Sequence, residues 1–165
     1  DCMPSQSDCI VQVTAKAPEL DAESLGLLVA FVRSLEAPKP TTDTAGAKLF
    51  AETGCASCHV PAMRDAKGNP LPVFTDLLLH DMGEALADGV AEGAASPAEW
   101  RTPPLWGIGL TRKVLGEGVY LHDGRAQSLE EAILWHGGEA EEAKRRFMAL
   151  PKADREALLR FLRGL

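Results

Sequence analysis

The feature that most constrains this chain is five residues long: Cys55-Ala56-Ser57-Cys58-His59. Two thiols and an imidazole this close together serve a zinc ion, a redox disulfide or a covalently attached haem. A structural zinc site needs four ligands, usually from two such knuckles. Here there is one, and the other two cysteines, Cys2 and Cys9, lie far upstream. A thioredoxin-type pair follows a strand and opens a helix in a βαβ unit. This motif follows a helical pattern, in a chain without convincing strand alternation. Haem remains. Two thiols two residues apart each form a thioether to one haem edge, and the next residue binds the iron from one face. The sequence therefore predicts one haem c on Cys55 and Cys58, with His59 as the proximal ligand. The low aromatic content, 5%, agrees with a porphyrin that forms much of the core.

The remaining bulk features bound the class. The chain has 165 residues, 45% of them apolar, and a formal charge of −7. That charge argues against nucleic acid or an anionic membrane as partner. No apolar run approaches the roughly 20 residues of a membrane span. The chain starts at Asp1 without a methionine, as a mature exported form or an excised piece would. Cys2 and Cys9 are close enough in sequence to pair. A disulfide between them implies an oxidising compartment, which in a bacterium is the periplasm.

Helical patterns dominate. Residues 21–35 place Leu25, Leu28, Val29, Val32 and Leu35 on one face, with Asp21 as N-cap. Residues 44–53 form a second helix, stopped by Gly54. Ser128 and Glu131 make a capping box for 128–136, and two further helices meet at Pro151. Between 60 and 127 regular structure is sparse. There "TDLLLHDMG" reads as one or two helical turns, while "SPAEWRTPPLWGIGLT" and "GVYLHDGRAQ" read as loops. The expected class is all-α, a cytochrome c-like helical domain whose long loops wrap one haem.

Residues 20–35, "LDAESLGLLVAFVRSL", echo residues 150–165, "LPKADREALLRFLRGL". If each is the last helix of a domain, residues 37–165 form one complete haem domain. Residues 1–36 are then the tail of an upstream haem domain.

The iron's second axial ligand is open at this level. The candidates are His80, Met82, His122, His136 and the remaining methionines; Met63 is too near His59 to cross to the other face. His136 precedes Gly137-Gly138, where bare backbone could lie against a porphyrin, and Met82 also precedes a glycine.

The loops carry a resemblance. "RTPPLWGIGLT" at 101–111 and "YLHDGRAQSLEEAILWH" at 120–136 resemble the bacterial di-haem cytochrome c peroxidase and MauG superfamily. That superfamily has Thr-Pro-x-Leu-Arg-Asn, then Tyr-x-His-Asp-Gly, then Thr-Leu-Glu-Glu. "DLLLHDMGEALADGVAEG", "EWRTPPLWGIGL" and "AILWHGGEA" are similar to the C-terminal haem domain of the di-haem oxidoreductase, or predicted thiol oxidoreductase, branch. The resemblance implies that the residue eight places into the Leu-Glu-Glu helix, His136, is the distal ligand, with Met82 as the alternative. It places His122, Arg125 and Arg101 near the haem propionates. It also allows Trp106 and Trp135 either to pack the pocket or to shorten an electron path. A calcium ion is known between domains in the peroxidase relatives; Asp76, Asp81 and Asp88 are candidates here, but their spacing matches no calcium loop. The chain departs from the family in having one haem motif rather than two, and histidine where the distal residue is commonly methionine or tyrosine.

The function expected is electron transfer by a haem c domain of a periplasmic di-haem peroxidase-like oxidoreductase. Its partners are an upstream haem domain and a redox protein. This haem transfers electrons rather than performing the catalysis. The alternatives are a stand-alone monohaem cytochrome c, an enzyme whose distal ligand leaves to admit peroxide, and a thiol oxidoreductase with a free Cys55–Cys58 pair.

Overall fold

The computed structural model describes residues 20–35, 38–40 and 42–165. The proposed Cys2–Cys9 pair lies outside these residues. The chain divides into two compact units, Asp1–Glu36 and Ala37–Leu165.

In the first unit, helix α1 spans Ala22–Ser34. Asp21 caps it by accepting the Ser24 N–H at 2.7 Å. Leu25, Leu28 and Val32 are each at least half exposed.

The second unit begins with α2, Thr44–Glu52, capped by Asp43 on the Gly46 N–H. A left-handed Gly54, φ 94°, ends it and leads into a 3-10 turn, Cys55–Ser57. The cysteine motif is therefore wound onto a helix end. Later come α3 (Thr111–Leu115), α4 (Leu129–Trp135), α5 (Glu141–Ala149) and α6 (Lys152–Arg163). The Ser128 hydroxyl caps α4 through the Glu131 N–H, whereas the Glu131 carboxylate reaches back to the Gln127 N–H rather than to Ser128.

The all-α expectation needs correcting. The described residues are mainly helical but include two small antiparallel sheets. Strands β1 (Met63–Arg64) and β2 (Pro70–Leu71) form a hairpin. Its turn is closed by Asp65, which accepts the Lys67 and Asn69 N–H groups. Strands β3 (Leu79–Asp81) and β4 (Glu99–Arg101) pair with His80 opposite Trp100. The segment expected to be helical at 75–83 is thus extended. Leu77 takes φ 61°, and the Asp76 carboxylate accepts the Leu78 N–H. Together they turn the backbone out of a helix and into the ladder.

The core lies where α2 crosses α6. Phe50, Phe74 and Phe161 form a triangle with centroids 5.4–5.9 Å apart. Leu158, Leu162, Phe147 and Leu165 close around it. Gly46 permits the crossing, because a Cβ there would stand 2.6 Å from the Ala157 carbonyl oxygen.

Candidate haem site

Beside this core is a cavity of about 790 Å³, within the range that takes a cofactor. Cys55, Cys58, His59, Met82, Trp100, Tyr120, His122 and His136 line it, with Leu79, Leu86, Leu105, Ile108, Leu129, Ile133 and Leu162 supplying much of its apolar wall. The sequence-predicted ligands meet here. His59 and His136 have ring centroids 6.5 Å apart. Phe50 packs near His59 at a centroid distance of 6.4 Å, joining that ring to the core triangle.

Both imidazoles are held in the same way. His59 Nδ1 donates to the Phe74 carbonyl at 3.2 Å, and His136 Nδ1 donates to the Ala132 carbonyl at 2.7 Å. A carbonyl can only accept, so the proton is on Nδ1 and Nε2 keeps its lone pair. A backbone acceptor behind the ring is the usual outer partner of a metal-binding histidine. Burial first, and then the neighbouring His136, pushes the His59 pKa down to about 4. Burial also lowers that of His136. Both rings are therefore neutral at physiological pH.

The spacing can be tested against a shared metal. An imidazole nitrogen binds a transition ion at about 2.0–2.1 Å, and the ring centroid lies about 1.1 Å behind it, so opposed rings on one ion have centroids roughly 6.3 Å apart. The observed separation fits.

The two thiols do not look redox-poised. Burial raises the pKa of Cys55 and of Cys58, whereas reactive cysteines have lowered values. This weighs against the thiol oxidoreductase alternative.

The family of di-haem oxidoreductases, described as putative peroxidases, matches residues 28–165. The chain belongs to this family. The family's di-haem description makes haem the group against which the cavity is to be tested. A solved structure of Kuenenia stuttgartiensis hydrazine synthase, pressurised with 20 bar xenon, is similar at a TM-score of 0.54 and 22% identity. The match covers 88% of this chain and 56% of that one, so the chain spans little more than half of the neighbour's length. At that identity the likeness is one of fold. No curated protein matches the chain.

Within this member of the family, the other predicted residues separate into two groups. Arg101 and His122 line the cavity. Arg125, Trp106 and Trp135 are not among its lining residues. Arg125 is a staple instead: it pairs with Asp123 at 2.6 Å, donates to the Ala85 carbonyl and lies 4.9 Å over the Trp135 ring. Trp106 is 38% exposed. The Gly137-Gly138 pair also differs from expectation, because its bare backbone lies against the backbone of 81–83.

The calcium candidates do not converge on a site. Asp76, Asp81 and Asp88 each accept a backbone N–H two residues on, from Leu78, Gly83 and Val90. Among the described residues the gathered potential ligands are Cys58, Asp76 and His80, with atoms within 4.8 Å of one another. Both nitrogens of His80 are already engaged by Asp76 and Glu139, each at 2.8 Å.

Two further features escaped the sequence. Trp100 stacks on His122 with centroids 3.5 Å apart and ring planes 11° from parallel, while its Nε1 donates to the Leu86 carbonyl. Lys144 lines the cavity, paired with Glu141 at 2.6 Å. A tryptophan beside a predicted propionate arginine is a weak signal for the first. Nothing local signals the second.

Proposed function

We propose that residues 37–165 are the C-terminal haem domain of a periplasmic di-haem oxidoreductase, and that they transfer electrons through one covalent haem c. The observation that carries this reading is the His59–His136 pair, with ring centroids 6.5 Å apart in the cavity that Cys55 and Cys58 also line and each Nδ1 held by a carbonyl. Cys55 and Cys58 would hold the haem by thioethers. His59 and His136 would bind the iron, which carries the electron by changing oxidation state. With two imidazoles bound no coordination position stays open, which favours electron transfer over peroxide chemistry. Histidine in place of methionine also lowers the potential, since His/Met ligation raises it. Arg101 and His122, at the cavity wall, are suited to the propionates. The apolar wall would shield part of the ring from water.

Residues 1–36 are read as the end of an upstream haem domain, on the strength of the helix echo and the family's two-haem character. That upstream domain and a separate redox protein are the proposed electron partners.

The test uses protein matured in a host that assembles c-type cytochromes. Its mass should exceed the polypeptide by one haem, and its ferric absorption and spin-resonance spectra should be low-spin. His136→Ala should lose the low-spin signal. An unchanged signal would transfer the distal role to Met82 or another residue, and a colourless protein of bare polypeptide mass would refute the haem assignment.

A further inference from the structure

The segment carrying His136 is tied down at two levels. The first is backbone against backbone. A Cβ on Gly137 would stand 2.9 Å from the Met82 carbonyl oxygen, and one on Gly138 would stand 2.7 Å from the Gly83 nitrogen. Only bare backbone allows residues 137–138 to seat on 81–83. The second is the next side chain. Glu139 commits both oxygens to β3: Oε1 accepts the Asp81 N–H at 3.0 Å, and Oε2 accepts from His80 Nδ1 at 2.8 Å. His80 Nε2 donates in turn to Asp76 Oδ2 at 2.8 Å. Asp76 Oδ1 is anchored by the Leu78 N–H. The side chains of His80 and Asp76 are 16% and 13% exposed and that of Glu139 is 55% exposed, so the His80–Asp76 half of this charge-assisted bridge is sheltered and the Glu139 half borders water.

We propose that Asp76, His80 and Glu139 form a latch that seats the 136–139 segment on β3 and so holds the His136 imidazole on the iron. This rests on the haem reading above. Glu139 and His80 supply no iron ligand; they are positioning residues that act through the backbone leading to His136. With the latch closed, an external ligand must wait for a rare local opening of the segment. With the latch cut, the segment opens more often and the iron exchanges ligands faster.

The experiment compares haem-loaded wild type with Glu139→Ala, His80→Ala, the double variant and Glu139→Gln. The readouts are the ferric low-spin fraction, the rate of cyanide binding and the melting temperature. Each single alanine variant should bind cyanide about two- to tenfold faster, the scale set by losing a charge-assisted hydrogen bond that borders solvent. The double variant should add little to either, because both substitutions cut one connection. Glu139→Gln keeps an oxygen for the Asp81 N–H and should fall between wild type and alanine. If an alanine variant fails to load haem, Glu139→Gln and the remaining single variant carry the same expectation. A low-spin wild type whose cyanide rate is unchanged in these variants overturns the latch and leaves the haem reading standing. A wild type without covalent haem, or with a low-spin signal indifferent to His136→Ala, removes the haem reading and the latch together.

Discussion

Phe74 takes φ 55°, a left-handed conformation that is uncommon for an aromatic residue. Its ring belongs to the core triangle, while its carbonyl receives the His59 proton. One strained residue thus serves both packing and the site, as strain at functional positions often does. His80 shows a different coupling. Its hydrogen bond to Glu139, and then that to Asp76, raise its pKa above the ordinary value of 6.5. A proton held more tightly in the folded than in the unfolded chain stabilises the fold fully below about pH 6.5, and the effect is lost as pH rises through the elevated folded value. The melting temperature of the haem-loaded protein should therefore fall as pH is raised above that range. His80→Ala should flatten this part of the profile, and an unchanged profile would refute the ion-pair account. At this scale the sequence singles out Cys55, Cys58 and His59 by their spacing, and the structure brings all three to one cavity. The sequence does not disclose the bridging role of His80, whose partner Glu139 is fifty-nine residues away.

At the scale of elements, capping chemistry makes the helices readable. Asp21, Asp43 and Ser128 all cap where their residue types predict. The β3–β4 ribbon is not readable in the same way. Its strands are three residues each, too short to display a period, and they exist because Leu79 finds Arg101 across an intervening loop. Pairing energy rather than local preference makes these residues extended. The α2–α6 crossing gives the sharpest mutational test of the architecture. Gly46→Ala forces a methyl group into the Ala157 carbonyl and the Phe161 side chain. Such overpacking typically costs about 1–3 kcal/mol, and chemical denaturation should show a loss of that size. A neutral result would mean that the helices can separate without penalty. Because His59 and Leu162 line the same cavity, the haem absorption band should shift as well.

For the 37–165 unit as a whole, the cavity sets the energetic frame. Its wall is largely apolar, and apolar surface left in water forgoes the stabilisation that covering it would give, about 25 cal/mol per Å². Chain lacking the attachment site, Cys55→Ser with Cys58→Ser, should therefore show little cooperative melting by circular dichroism, whereas haem-loaded protein should melt sharply. A sharp, matching transition in the serine variant would show that the polypeptide holds its own shape.

The hollow beside the core also bears on how such a molecule is made. On the haem reading proposed above, polypeptide still waiting for its pigment leaves that apolar wall wet, and it should be cut faster by a protease than the loaded form. Loading would then double as an inspection step, with the colourless chains the ones removed.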